Sequence, residues 1–318
     1  MTRLRWMGLL LGGGLFFWIL RTSDLGAVWQ QVRGLQWRFG LILLFYIVIF
    51  GLDTVGWQLT LSPTAGSRVR WRELFWTRLA GEAVNYVTPT AWIGGEPVKA
   101  VLLSKRYGIP MADGMASVVI AKTTFSLSMF LFIVTGIVVT LLTQRIHSSL
   151  FTWVWVTLPV LGVLLGLFML VQFLRPFQKG ASLLSPILPQ WLKKLAARVQ
   201  GWDETLVSFY RKSPKAVFWS LGFHFLGWMA GVVEVFLILR FLQIPVSLAT
   251  AWSVEALWIL LKTSAFLIPA SLGASEGFLL MICVGLGINA VSGLALGLVR
   301  RARELTWVGL GLAEFSRG

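Results

Sequence analysis

Charge is scarce in this chain. Of its 318 residues 13% are Asp, Glu, Lys or Arg, where a soluble domain carries roughly a quarter. That is too little to cover an aqueous surface, which excludes an ordinary soluble globular domain. Cysteine is nearly absent: Cys283 stands alone, so an intrachain disulfide framework and a thiolate metal site are both excluded. Histidine is limited to His147 and His224, which gives no metal-ligand spacing and few imidazole bases. Acidic residues are few as well, 13 against 28 basic, for a net charge of +15. A positive excess of this size suits nucleic acid, but the basic residues are not interleaved with aromatics in soluble motifs, so no nucleic-acid partner is expected. No segment alternates as a barrel strand does.

What is present is apolar length. A spanning helix needs about 20 mostly apolar residues, and residues 39–61, 112–142, 151–174, 216–242 and 290–315 supply such stretches. A shorter apolar run from Trp6 to Leu20 follows Arg3 and Arg5. It resembles a signal peptide but lacks a small-x-small cleavage site, so it reads as an uncleaved first span. Many of the 17 Trp lie near segment ends (Trp37, Trp57, Trp153, Trp252), as in the aromatic belts of a bilayer interface. The fold expected is all-α: a polytopic membrane protein of about six spans, forming one transmembrane domain over 1–318. Placing the N-terminus in the cytoplasm puts fifteen Lys and Arg on inside segments and five outside, the bias expected of a cytoplasmic membrane protein with both termini inside. The basic connector containing Arg175, Lys179, Lys193, Lys194 and Arg198 reads either as a surface helix drawn to anionic lipid or as a solvated loop.

Two segments are not simple spans. Glu73 to Leu103 has basic residues at both ends and is interrupted by Pro89 and Gly94-Gly95; Leu248 to Ile288 is interrupted at Pro269 and Gly273. Each is expected to enter the membrane as a helix, break, and return on the same side. An offset of 180 residues lays Pro89 on Pro269 and Glu96 on Glu276, and Gly-Ile follows in both, at Gly108-Ile109 and Gly287-Ile288. Three spans separate the two hairpins, so the repeat is inverted in topology, with two N-terminal spans in 1–72, the repeats at 73–142 and 248–318, and connecting spans with the basic loop in 143–247. Paired interrupted segments of this kind point to a transporter site near the midplane.

Charges lie where lipid tolerates them poorly. Lys122 sits about ten residues into its span, roughly 15 Å deep at 1.5 Å per residue, and Arg300, Arg301 and Arg303 sit equally deep in the last one. Facing lipid, each would cost about 3 kcal/mol or more, so all four must face inward. Arg300, Arg303 and Glu304 share a helix face, which leads Glu304 to neutralise one arginine. Two readings stay open. Either these cations pair with Glu96, Glu276 or Glu255 and hold the bundle, leaving no cavity at the hairpin tips, or they line a polar cavity for an anionic headgroup. In the second reading the half-helices opened by Gly94-Gly95-Glu96 and Gly273-Ala274-Ser275-Glu276 offer free N–H groups to the anion, and Glu96 and Glu276 handle protons or grip a hydroxyl or amine. Asn85 is expected to satisfy broken backbone. Glu255 and Lys262 are weaker candidates, and Asp53, His224 and Glu234 read equally well as links between helices. The site set is therefore Glu96, Lys122, Glu276, Arg300, Arg301, Arg303, Glu304, Asn85 and Ser275, with no catalytic residue, metal or cofactor.

The G-x-S-x-G string at Gly273 to Gly277 is not a nucleophile elbow, which requires a strand-to-helix turn in a hydrolase sheet. The pairs Gly8/Gly12, Gly162/Gly166, Gly227/Gly231 and Gly293/Gly297 indicate close helix packing, with homo-oligomerisation as the other use.

The strings AGEAVNYVTPTAWIGGEPVKAVLL, GVVEVFLILRFLQIPVSLATAWSVEAL, FLIPASLGASEGFLL and GLALGLVRRARELTWVGLGL resemble the flippase-like membrane domain of the lysylphosphatidylglycerol synthase family. The wording RRARE and GGEPVKA is most similar to its hopanoid-associated members. The likeness runs over nearly the whole chain, strongest in 73–108 and 228–312. It implies a lipid flippase or transporter of the bacterial inner membrane, handling a hopanoid, phospholipid or isoprenoid-type lipid. It also implies roles for Glu96, Glu276, Arg300, Arg303 and Glu304. Bifunctional relatives add a soluble aminoacyl-transferase domain after the membrane part; the chain stops at Gly318, so that activity is expected to be absent. An accessory scaffold for lipid synthesis and an intramembrane lipid-modifying enzyme are the alternatives.

Overall fold

The computed structural model describes residues 2–88, 94–144, 148–173, 204–265 and 268–317, with the backbone alone at 2–11, 148–153, 173 and 269. Among them there are helices and turns but no strand. In chain order the helices are α1 (Thr2–Thr22), α2 (Leu25–Arg33), α3 (Arg38–Gln58), α4 (Pro63–Gly66), α5 (Trp71–Val87), α6 (Gly95–Tyr107), α7 (Met111–Thr143), α8 (Ser148–Phe173), α9 (Pro214–Phe241), α10 (Leu248–Ser264), α11 (Ala274–Gly285) and α12 (Ala290–Phe315). Residues 204–212 are also helical.

Four of these are long and apolar enough to cross a membrane: Arg38–Gln58, Met111–Thr143, Val154–Gln172 and Pro214–Phe241. Burial is inside-out relative to a soluble protein. Along α8 the outward side chains are Trp155, Val156, Val160, Val163, Leu164 and Leu167, and only 11% of its most apolar stretch is buried, whereas Arg300, Arg303, Glu234 and Glu276 are enclosed. A chain that exposes valine and leucine while burying arginine is dissolved in lipid. The protein is a polytopic α-helical membrane protein.

Both interrupted segments are broken helices. In the first, α5 runs to Val87 and α6 begins at Gly95, packed back against it. A Cβ at Gly95 would meet the Asn85 side chain at 3.0 Å and run into the Gly81 backbone; one at Gly81 would meet the carbonyl of Gly95 at 3.0 Å. The two arms can approach this closely because neither glycine has a side chain. Pro89, the expected break, lies outside the described residues. In the second segment α10 ends at Ser264, a 3₁₀ turn follows at Pro269–Ser271, and α11 starts after Gly273. Ala270 (φ 54°), Ser271 (φ 47°) and Gly273 (φ 73°) all lie in the left-handed region; it suits Gly273 and strains the two residues with side chains.

The two sets of helices pack in matching pairs. α5 lies on α12 as α10 lies on α7, α6 lies on α7 as α11 lies on α12, and α3 lies directly against α9. Between α7, α9 and α10 the core is apolar, with Phe132 stacked between Trp228 and Trp252 at 6.0 Å from each. Glycines of two of the pairs, Gly227/Gly231 and Gly293/Gly297, serve this packing, whereas Gly166 faces open space. Gly227 faces Asp53, Gly231 faces Glu255 and Gly297 faces Glu276, so side chains from other helices fit where a Cβ would stand.

Candidate functional site

Thirteen acidic residues occur in the chain, and the structure gathers those at 53, 82, 96, 234, 255, 276 and 304 into two buried groups of ion pairs.

The first group surrounds the α5–α6 hairpin. Lys99 on α6 bonds Glu82 on α5 at 2.6 Å and Glu96, one turn before it, at 2.9 Å. Lys122 reaches Glu96 from α7 at 3.3 Å. Behind them Arg78 bonds Asp53 on α3 at 3.1 Å, and Asp53 accepts from Nδ1 of His224 on α9 at 2.8 Å. Beside these contacts lies a half-open cavity of about 50 Å³, lined by Arg78, Glu82, Glu96, Lys99, Lys122 and His224, with Trp57 and Phe125 among its walls. Since one water needs about 10–15 Å³ on that measure, a few waters or one small polar group fit. Asp53, Glu82 and Glu96 oppose Arg78, Lys99 and Lys122, so the ionised groups cancel.

Asn85 holds the tip of this hairpin. Its Oδ1 accepts from the backbone N–H of Gly95 at 2.6 Å, and its Nδ2 faces Glu82 and Glu96, each at 3.4 Å. The role expected for Asn85 in satisfying broken backbone is the one it occupies. This corrects the expectation that the first N–H of α6 is open to an anion, because the side-chain carbonyl already occupies it.

The second group surrounds α12. Arg300 bonds Glu255 on α10 through both terminal nitrogens, at 2.5 and 3.0 Å. Arg303 bonds both oxygens of Glu234 on α9, at 2.6 and 2.5 Å. Arg301 bonds Glu276 on α11 at 2.7 Å, the carbonyl of Ala270 at 2.9 Å and the Tyr86 hydroxyl of the first hairpin. It thereby ties the strained turn of one hairpin to the end of the other. Glu304 lies 3.4 Å from Lys262, 3.5 Å from Arg301 and 3.8 Å from Arg303, and accepts from Tyr86 at 3.2 Å. Four carboxylates oppose four cations, and this group too is neutral. Ser275 accepts from the Trp258 indole at 3.1 Å, a packing contact at the start of α11.

Sequence reasoning placed the deep cations facing inward, and they do; of the carboxylates it offered as partners, Glu96 takes Lys122, Glu276 takes Arg301 and Glu255 takes Arg300, while Glu234 as the partner of Arg303 was not foreseen. Glu304 was expected to neutralise one arginine of its face; it lies beside Arg301 and Arg303, whereas Arg300 turns to Glu255 on the neighbouring helix. Arg78, Glu82, Lys99 and Tyr86 went unnoticed because α5 and α6 are short and mixed in character; Glu82 and Lys99, 17 residues apart, meet only when the hairpin closes. Their detectable signal was polarity alone, shared with Glu73, Asn85 and Glu96 of the same interrupted segment. Complete pairing had been linked to the absence of a cavity at the tips. The described residues show both together: the cations are paired, and a small cavity remains beside the first hairpin.

Comparison with known proteins adds a family. Residues 5–313 match the model of the lysylphosphatidylglycerol synthase TM region. The chain is similar to a UPF0104 membrane protein of Methanothermobacter thermautotrophicus, 26% identical over 266 residues that cover 80% of this chain and 77% of the relative. No solved structure matches.

Proposed function

This chain belongs to the family of the lysylphosphatidylglycerol synthase TM region, and from that premise we propose that it moves a polar-headed lipid between membrane leaflets without chemically altering it. The observation that carries this reading is the polar cavity beside the α5–α6 hairpin, in a protein that exposes apolar side chains along α8 and buries charged ones. The headgroup exchanges contacts with Lys99, Lys122, Glu82 and Glu96 while the tails stay in the bilayer. Holding charges in readiness lowers the cost of taking a headgroup out of water, because its charges meet partners instead of hydrocarbon. The substrate is an anionic lipid of the phospholipid, isoprenoid or hopanoid-derived kind, and the membrane is the bacterial inner membrane with both termini in the cytoplasm.

The matched packing of α5, α6 and α7 with α10, α11 and α12 supports an inverted repeat, the architecture that lets one half rock against the other around a central site. In this arrangement the arginines of α12 are the frame, and Arg301 joins the hairpins. Saturation of Arg300, Arg301 and Arg303 by carboxylates favours a second reading, a non-catalytic scaffold for lipid-synthesis enzymes. Proteoliposomes carrying tail-labelled lipid separate the two. A translocase accelerates leaflet exchange over protein-free vesicles, and Glu96→Gln, which removes the charge shared by Lys99 and Lys122, slows it. A folded wild type that leaves exchange at the protein-free rate supports the scaffold.

A further inference from the structure

His224 contributes one feature that headgroup binding leaves unused. Its ring is 2% exposed, and Nδ1 lies 2.8 Å from Oδ1 of Asp53. A carboxylate only accepts, so Nδ1 carries the hydrogen and Nε2 presents a lone pair. Nε2 is buried and has no hydrogen-bond partner among the described residues, although the ring lines the cavity. The ring edge packs on Gly56, where a Cβ would stand 2.8 Å from Nε2. The charged groups around it are Asp53 on α3, Arg78 and Glu82 on α5, Glu96 and Lys99 on α6 and Lys122 on α7; Phe125 of α7 meets the ring edge-on at 5.4 Å.

The opposed charges of this group already cancel, so a monoanionic headgroup would leave one negative charge uncompensated in a buried site, which is costly. A proton restores neutrality. Glu82 and Glu96 are poor places for it, since each already accepts from an ammonium group and protonation weakens that contact. Nε2 breaks no existing bond by taking a proton, and Asp53 stands behind the ring to stabilise the imidazolium. We infer that an anionic headgroup enters this cavity together with one proton, supplied by water and held on Nε2 of His224. The step converts a neutral imidazole to an imidazolium while the Nδ1–H bond to Asp53 is kept. It rests on the lipid-transport reading above and names the coupling of that site.

Two measurements test it. With His147 and His224 as the only histidines, ¹⁵N-histidine NMR in lipid nanodiscs resolves the His224 ring once His147→Gln has assigned the other signal. The Nε2 resonance is expected to move toward the protonated form when tail-labelled phosphatidylglycerol replaces phosphatidylcholine at constant pH. In proteoliposomes, exchange of the phosphatidylglycerol probe should rise as pH falls, by up to ~10-fold per pH unit for one linked proton, while exchange of a phosphatidylcholine probe stays flat. His224→Gln, whose amide still reaches Asp53, should remove the pH dependence. A His224 ring that stays neutral in anionic lipid, while exchange proceeds, overturns the inference and leaves lipid transport standing. Protonation driven equally by inorganic phosphate without anionic lipid overturns it by assigning the site to a free anion. Absence of any exchange by the wild type refutes the underlying transport reading instead. The NMR measurement uses the unaltered ring, so the test survives if His224→Gln fails to fold.

Discussion

Replacing Arg303 with methionine should destabilise the protein about as much as a large apolar truncation in the core, and replacing its partner as well should recover much of the loss. Arg303 is 3% exposed and Glu234 1%, and the guanidinium contacts both carboxylate oxygens at 2.6 and 2.5 Å. Arg303→Met leaves Glu234 buried without its strongest partner, which by the usual cost of an orphaned buried charge amounts to about 3–5 kcal/mol. Glu304, 3.8 Å away, loses little by the change, since Lys262 and Arg301 remain beside it. In Arg303→Met with Glu234→Gln no uncompensated charge remains, so a double-mutant cycle should give a coupling of several kcal/mol. The assay is reversible unfolding of the purified protein in mixed micelles, followed by tryptophan fluorescence. Strict additivity of the two substitutions, or a single-variant cost under about 1 kcal/mol, would refute the argument, because both describe a pair still solvated in the folded state.

Three further outcomes follow from the same contacts. Asn85→Ala removes the acceptor of the buried Gly95 N–H, and should cost about 1–3 kcal/mol in the same unfolding assay. Gly95→Val forces a side chain into the Gly81 backbone and the Asn85 side chain; the hairpin arms should separate, detected as faster proteolysis near 88–94, while Gly166→Ala, whose Cβ meets nothing within 4 Å, changes nothing. Lys122→Met keeps the side-chain volume but removes one of the two ammonium groups on Glu96, and should slow exchange of an anionic lipid about tenfold, equivalent to roughly 1.4 kcal/mol of lost binding, with little loss of stability.

The span helices were readable because hydropathy is a local property: α3, α7, α8 and α9 stand close to where apolar runs begin and end. The hairpins were readable because proline and glycine interrupt them, and the helices found there, Trp71–Val87 with Gly95–Tyr107 and Leu248–Ser264 with Ala274–Gly285, follow that punctuation. The inward facing of the α12 arginines was readable too, since charges well within an apolar span are costly against lipid, and all three are buried. Partnership was readable only as a set of candidate carboxylates, and Glu234 was not among those offered to the arginines. Arg303 and Glu234 are 69 residues apart and Arg300 and Glu255 are 45 apart, and nothing along the chain says which helices become neighbours. Local spacing was coarser than the structure: it set one arginine against Glu304 without saying which, and Arg301 and Arg303 stand beside it while Arg300 turns to the buried carboxylate that α10 offers. The basic connector lies outside the described residues apart from its end near Arg211, so its attraction to anionic lipid stays an expectation of charge alone.

The central claim is that a lipid headgroup passes through the cavity bounded by Glu96, Lys99, Lys122 and His224. Filling that space without touching its charges tests it most directly. Ala121 lines the cavity and is 8% exposed; Ala121→Phe places a ring there. In proteoliposomes made with variant protein whose melting shows it folded, leaflet exchange of tail-labelled anionic lipid should drop to the protein-free rate. Exchange at the wild-type rate with the cavity filled would contradict the account and place the lipid path elsewhere.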